Sequence, residues 1–247
     1  MNDTDVEAIE RATLAAVAPE TVDEWDDWLL PFDHGTIGRA KAAVPLRHAE
    51  ANENAIEAIE ARYRERGLPT VFRIADLPCF ETLTGALQLR GYVDARAAFV
   101  RVGAVARMRA VSVGAPADVD DAPDAAWTDL FLGEGFDPID GANRVKALSR
   151  GVGTRYASVR DTGRTLAGGA LSISHGWASV HGMRTEQAHR GRGLAGRVLA
   201  DMAEAAAHRG FERVFLQVEA GNTAAHALYR RAGFEPAWAY RYWQRPA

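Results

Sequence analysis

The amino-acid sequence predicts an α/β (α+β) fold of two domains in tandem, each a mixed, mostly antiparallel sheet flanked by helices. Three observations predict this fold. The N-terminal part alternates helical and strand-like patterns in the order α, β, α, β. Three strand-like stretches then follow one another between residues 154 and 185, separated only by short turn signals, as in an antiparallel meander. A glycine cluster next separates the last of these stretches from an amphipathic helical pattern.

Composition and charge narrow the class of protein. The 247 residues suffice for one large domain or two ordinary ones. Cys79 is the only cysteine, so the chain can form no internal disulfide and no thiolate metal cluster, and a reducing, cytoplasmic location is expected. The net charge of -4 disfavours a general binder of nucleic acid. The N-terminus lacks the features of a signal peptide and no stretch approaches the ~20 apolar residues that span a bilayer, so no membrane association is expected.

The N-terminal 106 residues are expected to form a domain of their own. The expected elements are a strand entry at 23–32, a helix at 51–66, a strand at 70–74, a helix at 80–90 and a strand at 97–103. Gly67 and Gly91 stand where the two helices should end. Residues 113–126 carry proline, aspartate and alanine without periodicity, which is typical of a connector. These patterns predict domains at 1–106 and 107–247.

The C-terminal domain is expected to contain helices and a meander around the glycine cluster. The expected elements are a helical region at 127–150, strands at 154–161, 165–173 and 177–185, a helix from residue 194 to Gly210, a strand at 213–219, a helix between Asn222 and Gly233, and a strand at 238–243. Asn222 is expected to cap its helix at the N-terminus, and Gly233 to end it.

The glycine cluster itself indicates a site for phosphate. The sequence "QAHRGRGLAG" (residues 187–196) places bare backbone just before a helix, where unpaired N–H groups and the helix dipole favour an anion. The chain has no Walker Gly-Lys-Ser/Thr, and its glycines do not follow the G-x-G-x-x-G spacing of dinucleotide folds. The common nucleotide-binding classes are therefore disfavoured.

Two segments resemble hallmarks of the GCN5-related N-acetyltransferases (GNAT superfamily). "RGRGLA" (Arg190 to Ala195) has the R-x-x-G-x-A pattern of their pyrophosphate loop, and "NTAAHALYRRAGFE" (Asn222 to Glu235) is similar to the segment after their fifth strand. This resemblance covers residues 107–247. More loosely, "ALQLRGYVDARAAFVRV" in the N-terminal half is similar to "ALYRRAGFEPAWAYRYW" near the C-terminus. The chain is therefore expected to be a tandem of two GNAT-like domains.

The N-terminal copy is expected to be degenerate and structural. It has Leu87 where the second copy has Tyr229, and no glycine-rich turn precedes its first helix. It should bind no pyrophosphate, although it could pack against the second copy and form one wall of a cleft.

The resemblance implies a site for acetyl-CoA as co-substrate, without a metal. It implies that the strand ending at Met183 splays from the strand at 215–218 and that its free backbone groups pair with the pantetheine arm. Tyr229 occupies the position of the usual general acid, although a core aromatic is the alternative interpretation. The residues expected to bind the co-substrate are Met183, Arg184, Thr185, Arg190, Gly191, Arg192, Gly193, Leu194, Ala195, Gly196, Asn222 and Tyr229.

The general base is expected to be His181. Ser179, His181 and Met183 alternate onto one face of the strand, and an attacking amine needs a base with a pKa near neutrality. Family members place a glutamate or histidine at these positions, and His181 is the titratable one. Glu186 and Glu219 are the alternatives, and His181 could also be a purely structural residue.

The predicted function is direct transfer of an acetyl group from acetyl-CoA to a primary amine of a small molecule or peptide. The alternatives are a catalytically idle acyl-CoA-binding or regulatory module, and a nucleic-acid-binding protein, which the acidic net charge disfavours. The expected partners are acetyl-CoA and an amine, with no nucleic acid and no membrane, in a monomer or homodimer. The sequence leaves the acceptor amine open.

Overall fold

The computed structural model describes residues 1–50 and 52–246. The helices are α1 (Asp3–Ala16), α2 (Ala55–Glu65), α3 (Glu81–Leu89), α4 (Val105–Arg109), α5 (Ala125–Leu132), α6 (Pro138–Arg150), α7 (Leu194–Ala207) and α8 (Thr223–Arg231). The strands are β1 (Thr21–Trp25), β2 (Trp28–Phe32), β3 (Val44–Pro45), β4 (Val71–Ala75), β5 (Val93–Ala104), β6 (Asp118–Asp120), β7 (Arg155–Asp161), β8 (Arg164–Ser174), β9 (Trp177–Thr185), β10 (Arg213–Glu219) and β11 (Glu235–Gln244). None of the helices that the structure describes is long and apolar enough to cross a membrane.

Most strands belong to one eight-stranded sheet, in the order β4-β11-β5-β10-β9-β8-β7-β6. Neighbouring strands in this sheet pair antiparallel, except β9 and β10, which run parallel. β1, β2 and β3 form a separate three-stranded sheet. The mixed, mostly antiparallel sheet with flanking helices confirms the predicted fold class. Instead of the separate sheet expected in each half, strands of both halves belong to one sheet.

Strand β5 joins the two halves of the chain. It lies between β10 and β11, pairing with β10 from Ala98 to Ala104 and with β11 along most of its length. β11 in turn pairs with β4. The units β4–α3–β5 and β10–α8–β11 therefore exchange their second strands within one sheet. The domain boundary near residue 106 falls between β5 and α4, inside this shared architecture, and as a limit between two repeats it stays a prediction.

The two faces of the sheet carry different helices. On β10, Val214, Leu216 and Val218 belong to a core cluster with α7 and Tyr229 of α8, whereas Phe215 belongs to the cluster that contains α1. This alternation is the two-residue period of a strand buried on both faces. Helices α5 and α6 pack near Ala170 of β8, which neighbours Leu171 of the α7 cluster. Both faces of the sheet are therefore covered by helices.

The structure differs from the sequence prediction in several features. The strand entry at 23–32 is a hairpin, β1 with β2, that turns at Asp26 and Asp27, whose φ angles are 47° and 62°. The expected connector at 113–126 contains β6, which pairs with β7 and extends the sheet by one strand. Its three residues are too few to show strand periodicity in the sequence. Ala51, where the helix at 51–66 was expected to begin, lies outside the described residues; α2 begins at Ala55.

Candidate functional site

The site begins where β9 and β10 separate. Their parallel pairing runs from Ala178 opposite Val214 to Val180 opposite Leu216 and ends there, although β9 continues to Thr185 and β10 to Glu219. Gly182 has φ 60°, and the register between β9 and β8 shifts opposite this point, which marks a β-bulge that bends the strand. The bend opens a gap through the sheet between the ends of β9 and β10.

The glycine turn beside this gap presents backbone amides. Gly191 and Gly193 have φ angles of 77° and 78°, a left-handed conformation that glycine adopts at little cost. Gly193 is the N-cap of α7, and the first backbone bond of the helix runs from the Gly196 N–H to the Gly193 carbonyl at 3.0 Å. The N–H groups of Leu194 and Ala195 precede that bond, so they are available to an anion. The turn thus suits a phosphate group.

A cavity of about 600 Å³ lies between this turn and α8, and we call it the loop cavity. Of the predicted co-substrate residues, those that line it are Met183, Arg184, Thr185, Arg190, Gly191, Gly193, Leu194, Ala195, Gly196, Asn222 and Tyr229. Arg192 is exposed and does not line the cavity. Apart from Arg192, the structure therefore brings the predicted residues together around one space.

Two arginines of the predicted set have different surroundings. The Arg190 Nε donates to the Thr185 carbonyl at 3.3 Å, so this side chain lies across the end of β9. The Arg184 guanidinium lies over the Phe136 ring at 3.9 Å and donates to the Phe131 carbonyl at 3.3 Å. Burial, together with the nearby Arg144, lowers the pKa of Arg184 to about 10. Arg184 is thus largely engaged by protein groups around α5 and α6.

A second cavity, of about 410 Å³, lies at the same gap, and we call it the acceptor cavity. Gln217 and Glu219 of β10, Arg96 and Ala98 of β5, and Tyr240 and Tyr242 of β11 line one side, and residues 36–39 line another. The two cavities share Phe136, Met183, Arg184, Asn222 and Tyr229 as lining residues. The loop cavity and the acceptor cavity therefore meet at the gap between β9 and β10.

Tyr229 stands at this junction. Its residue is 7% exposed, and its ring packs edge-on against Phe234 with 5.9 Å between centroids. Burial raises the pKa of the Tyr229 phenol to about 12, while the charge of Arg39 opposes the rise. The phenol is therefore protonated at neutral pH and can donate a proton or hydrogen bond toward either cavity.

His181 lies beside the junction but is almost enclosed. It is 2% exposed and its Nδ1 is 3.4 Å from Nη1 of Arg39, while its buried Nε2 has no hydrogen-bond partner among the described residues. Burial, with the Arg39 charge, lowers the pKa of His181 well below 6.5. The pKa of His181 therefore lies below the near-neutral value expected from the sequence, mainly because the imidazole is buried, and its role as the base stays a prediction.

The two acidic alternatives lie in different places. Glu186 is paired with Arg164 at 2.6 Å and His189 at 2.9 Å, outside the lining of both cavities. Glu219 is exposed at the end of β10 and lines the acceptor cavity. Asn222 caps α8 by accepting from the Ala225 N–H at 3.1 Å, as the sequence predicts. Of the two carboxylates, only Glu219 is available to a molecule in the acceptor cavity.

Sequence reasoning missed several lining residues of the acceptor cavity. Arg39, Arg96, Tyr240 and Tyr242 come from a short 3-10 turn, β5 and β11. The register between β5 and β11 shifts at Arg96, between Ala97 opposite Arg241 and Ala95 opposite Tyr242, so spacing along the strand alone does not place these side chains at the cavity. Which strands lie side by side depends on the exchange between the two halves, and no local pattern reveals that exchange.

Comparisons with known proteins agree with this architecture. A family model described as "Probable histone acetyltransferase Rv0428c C-terminal" matches residues 3–243. The chain is 26% identical to the uncharacterized N-acetyltransferase YobR of Bacillus subtilis over 96% of this chain and 98% of that protein. A mycothiol acetyltransferase of Clavibacter sepedonicus is 42% identical over 79 residues, covering 32% of this chain and 26% of that protein.

Solved structures share the fold at low sequence identity. A GCN5-related N-acetyltransferase from Kribbella flavida superposes with a TM-score of 0.71 at 16% identity, covering 98% of this chain and 96% of its own. A tandem GNAT protein from the clavulanic acid biosynthesis pathway superposes with a TM-score of 0.61 at 15% identity, covering 100% and 98%. Because the family model spans nearly the whole chain, the protein belongs to the family described as "Probable histone acetyltransferase Rv0428c C-terminal" and is an acetyltransferase of the GNAT superfamily.

Proposed function

We propose that the protein transfers an acetyl group from acetyl-CoA directly to a primary amine of a small molecule or peptide. The observation that carries the proposal is the junction of the loop cavity and the acceptor cavity at Met183, Asn222 and Tyr229. Two cavities that meet at one gap let two substrates be held together, which converts a bimolecular reaction into an effectively intramolecular one.

Acetyl-CoA would occupy the loop cavity. The amides of the glycine turn and the N-terminus of α7 would hold its pyrophosphate. The β9 backbone beyond Val180, where the ladder to β10 ends, would pair with the pantetheine arm. When bound, the thioester supplies an electrophilic acetyl carbon at the gap, and a strand N–H near Met183 would polarise its carbonyl oxygen.

Tyr229 is the proposed general acid. Its raised pKa keeps the phenol protonated at neutral pH, so it can donate to the sulfur that leaves as coenzyme A thiol. The products are the acetylated amine and the free thiol, and the proton from the amine balances the one that the sulfur takes up.

Two residues are candidates for the general base that takes the proton from the amine. His181 lines the acceptor cavity, but it is 2% exposed, its Nδ1 lies 3.4 Å from Arg39 Nη1 and its Nε2 is buried. Glu219 is exposed and lines the acceptor cavity. We therefore favour Glu219, directly or through a water molecule, as the group that takes the amine proton, and assign His181 the role of positioning Arg39.

A thiol-release assay tests the proposed function. Purified protein with acetyl-CoA and a panel of primary amines should release coenzyme A thiol, and mass spectrometry should find an acetylated amine. An idle acyl-CoA-binding module would bind acetyl-CoA by calorimetry and release no thiol with any amine. That result would exclude the transfer activity.

A further inference from the structure

The acceptor cavity has an excess of positive charge. Four arginines line it, Arg39, Arg96, Arg144 and Arg184, and Glu219 is the only carboxylate among its lining residues. Asp140, just behind this wall, pairs with Arg144 at 2.6 Å and with Arg184 at 3.4 Å. Asp140 therefore balances one of these two positive charges and engages both guanidiniums.

Arg39 and Arg96 are different, since neither forms an ion pair with any carboxylate among the residues that the structure describes. Arg39 is half-buried, with its Nη1 3.4 Å from the imidazole of His181. Arg96 lies over the Tyr242 ring, 5.4 Å from its centroid. Arg96 is exposed, so the cost of leaving a partly buried guanidinium without a carboxylate applies to Arg39, and a ligand that supplies the anion would remove it.

The fold also fixes where Arg39 points. It belongs to the short 3-10 turn Gly38–Ala40, and a Cβ built on Gly38 would come 2.9 Å from the Tyr242 ring. The backbone of the turn thus packs closely against β11. The Arg39 guanidinium lies 3.4 Å from the His181 imidazole, and both residues line the acceptor cavity together with Tyr229, so the guanidinium lies close to the gap where the two cavities meet.

We propose that Arg39 and Arg96 form a subsite for an anionic group on the acceptor, so that the substrate is a small primary amine bearing a carboxylate or phosphate. This inference rests on the proposed transfer to an amine. Guanidinium groups recognise both anions by charge-assisted hydrogen bonds. The cavity volume of about 410 Å³ fits a small molecule. A lysine-rich polypeptide would bring further positive charge against Arg39 and Arg96, so it is a poor acceptor here.

Matched acceptor pairs test the subsite without relying on turnover. Calorimetry on the protein saturated with coenzyme A would compare L-alanine with L-alaninamide, L-phenylalanine with L-phenylalaninamide, and O-phosphoethanolamine with ethanolamine. The first two pairs probe a carboxylate and the third a phosphate. An amino acid amide has the less basic amine and so more free amine at a given pH, which works against the expected preference.

We expect the anionic member of at least one pair to bind roughly 10- to 100-fold more tightly than its neutral partner, the effect of one charge-assisted bond. Arg39→Gln should remove that preference and Arg39→Lys should retain part of it. Arg209→Gln, at an exposed arginine after α7, makes the same change in net charge and should keep it. Arg96→Gln should weaken the preference for the anionic member. If Arg39→Gln does not fold, Arg96→Gln tests the subsite in its place.

Equal binding of all matched members, or a preference that survives in both Arg39→Gln and Arg96→Gln, would overturn the subsite. Thiol release with neutral amines only would overturn it as well, while leaving the proposed function in place. An anionic preference that depends on Arg39, combined with no thiol release from any amine, would support the subsite and contradict the transfer activity instead.

Discussion

The units β4–α3–β5 and β10–α8–β11 have matching backbones, yet only the second lines the junction of the two cavities. Helices α3 and α8 both have nine residues. Each is followed, two residues after its last residue, by a glycine with φ 83°, Gly91 or Gly233. After each glycine the next N–H returns to the same position of the helix, Tyr92 to the Leu87 carbonyl at 3.0 Å and Phe234 to the Tyr229 carbonyl at 2.9 Å.

The difference between the units lies in three side chains. Counting back from the equivalent glycines, Leu77, Phe80 and Leu87 of the first unit correspond to Glu219, Asn222 and Tyr229 of the second. Phe80 and Leu87 are fully buried in the core cluster that contains α1, and Leu77 packs against it. In the first unit these three side chains thus pack in the apolar core, whereas the polar side chains at the same positions of the second unit line the cavities. One backbone supports either outcome.

The strand exchange gives the first unit a different role. Arg96 and Ala98 of β5 line the acceptor cavity, whereas the loop cavity is lined only by residues that follow β6 in the chain. A fragment that ended after β5 would leave this strand without β10 and β11, exposing both of its edges. Comparisons between the units are therefore best made by substitution in the full chain.

The largest expected effect concerns the glycine turn before α7, for which the N-terminal half has no counterpart before α2. Acetyl-CoA should raise the melting temperature of the protein. Gly193→Glu should abolish that rise, because it puts a negative charge where phosphate is expected and forces a side chain onto a φ of 78°. Thermal unfolding with and without acetyl-CoA measures the effect.

The control is Gly163→Glu in the β7–β8 turn. Gly163 has φ 83° and a Cβ there would meet nothing within 4 Å, as at Gly193. Gly163→Glu imposes the same strain and charge away from both cavities, so acetyl-CoA should still raise the melting temperature of this variant. A folded Gly193→Glu protein that still binds acetyl-CoA would contradict the phosphate role of the turn.

The second prediction concerns the position that is Leu87 in the first unit and Tyr229 in the second. Tyr229→Phe keeps the ring and removes the hydroxyl, so turnover should fall by roughly 10- to 10⁴-fold while acetyl-CoA affinity barely changes. A thiol-release assay measures turnover, and calorimetry measures the affinity for acetyl-CoA. Tyr63→Phe also removes a buried hydroxyl, one that donates to the Pro31 carbonyl at 2.9 Å, and should leave turnover unchanged. Equal turnover in Tyr229→Phe would make Tyr229 a packing residue like Leu87.

The third prediction concerns the base. Glu219→Gln should lower kcat/KM by roughly 10- to 100-fold, less than the full effect of a general base because water can partly replace it. Burial and Arg39 hold the pKa of His181 well below 6.5, so the imidazole is already neutral at pH 7. It would contribute an acidic limb to the pH profile of kcat/KM only at lower pH. Any acidic limb at about pH 6 to 8 should therefore persist in His181→Asn.

Amines of different pKa serve as the control, because the ionisation of the acceptor itself produces such a limb. A limb that moves with the amine belongs to the acceptor. A limb that disappears in His181→Asn with every amine, together with full activity of Glu219→Gln, would restore His181 as the base.

Local chemistry explains what the sequence predicts well. The helices α2, α3, α7 and α8 and the central strands lie within a few residues of their predicted limits, because periodicity and glycine stops are local signals. The glycine turn and Asn222 follow from the same kind of signal, strengthened by the family resemblance. The loop cavity is built by one continuous part of the chain, and the predicted residues other than Arg192 line it, although their roles in binding stay a prediction.

The acceptor cavity was not predictable because it depends on pairing between distant segments. β5 was recognised as a strand, but its place between β10 and β11 follows from long-range packing. Arg39 lies in a three-residue turn without periodicity, and only the fold brings it to His181. The lowered pKa of His181 has the same origin, since the covering elements are remote in sequence.

The smallest expected effect concerns the caps of the two helices. Asn222 caps α8 through its Oδ1, whereas Phe80, at the same position before α3, makes no side-chain bond. Asn222→Ala should therefore cost roughly 1 kcal/mol of unfolding free energy, and Asn222→Ser should recover most of it because a serine hydroxyl also caps. In a chain of this size that is a shift of about 2–4 °C in Tm. Since Asn222 also lines both cavities, thiol release on the same variants separates the two roles. Recovery of both stability and turnover in Asn222→Ser would make the residue a cap that acts on the site through α8. Recovered stability with turnover still reduced would show that its amide contacts a substrate, a contact for which the first unit, with Phe80 in its core, has no counterpart.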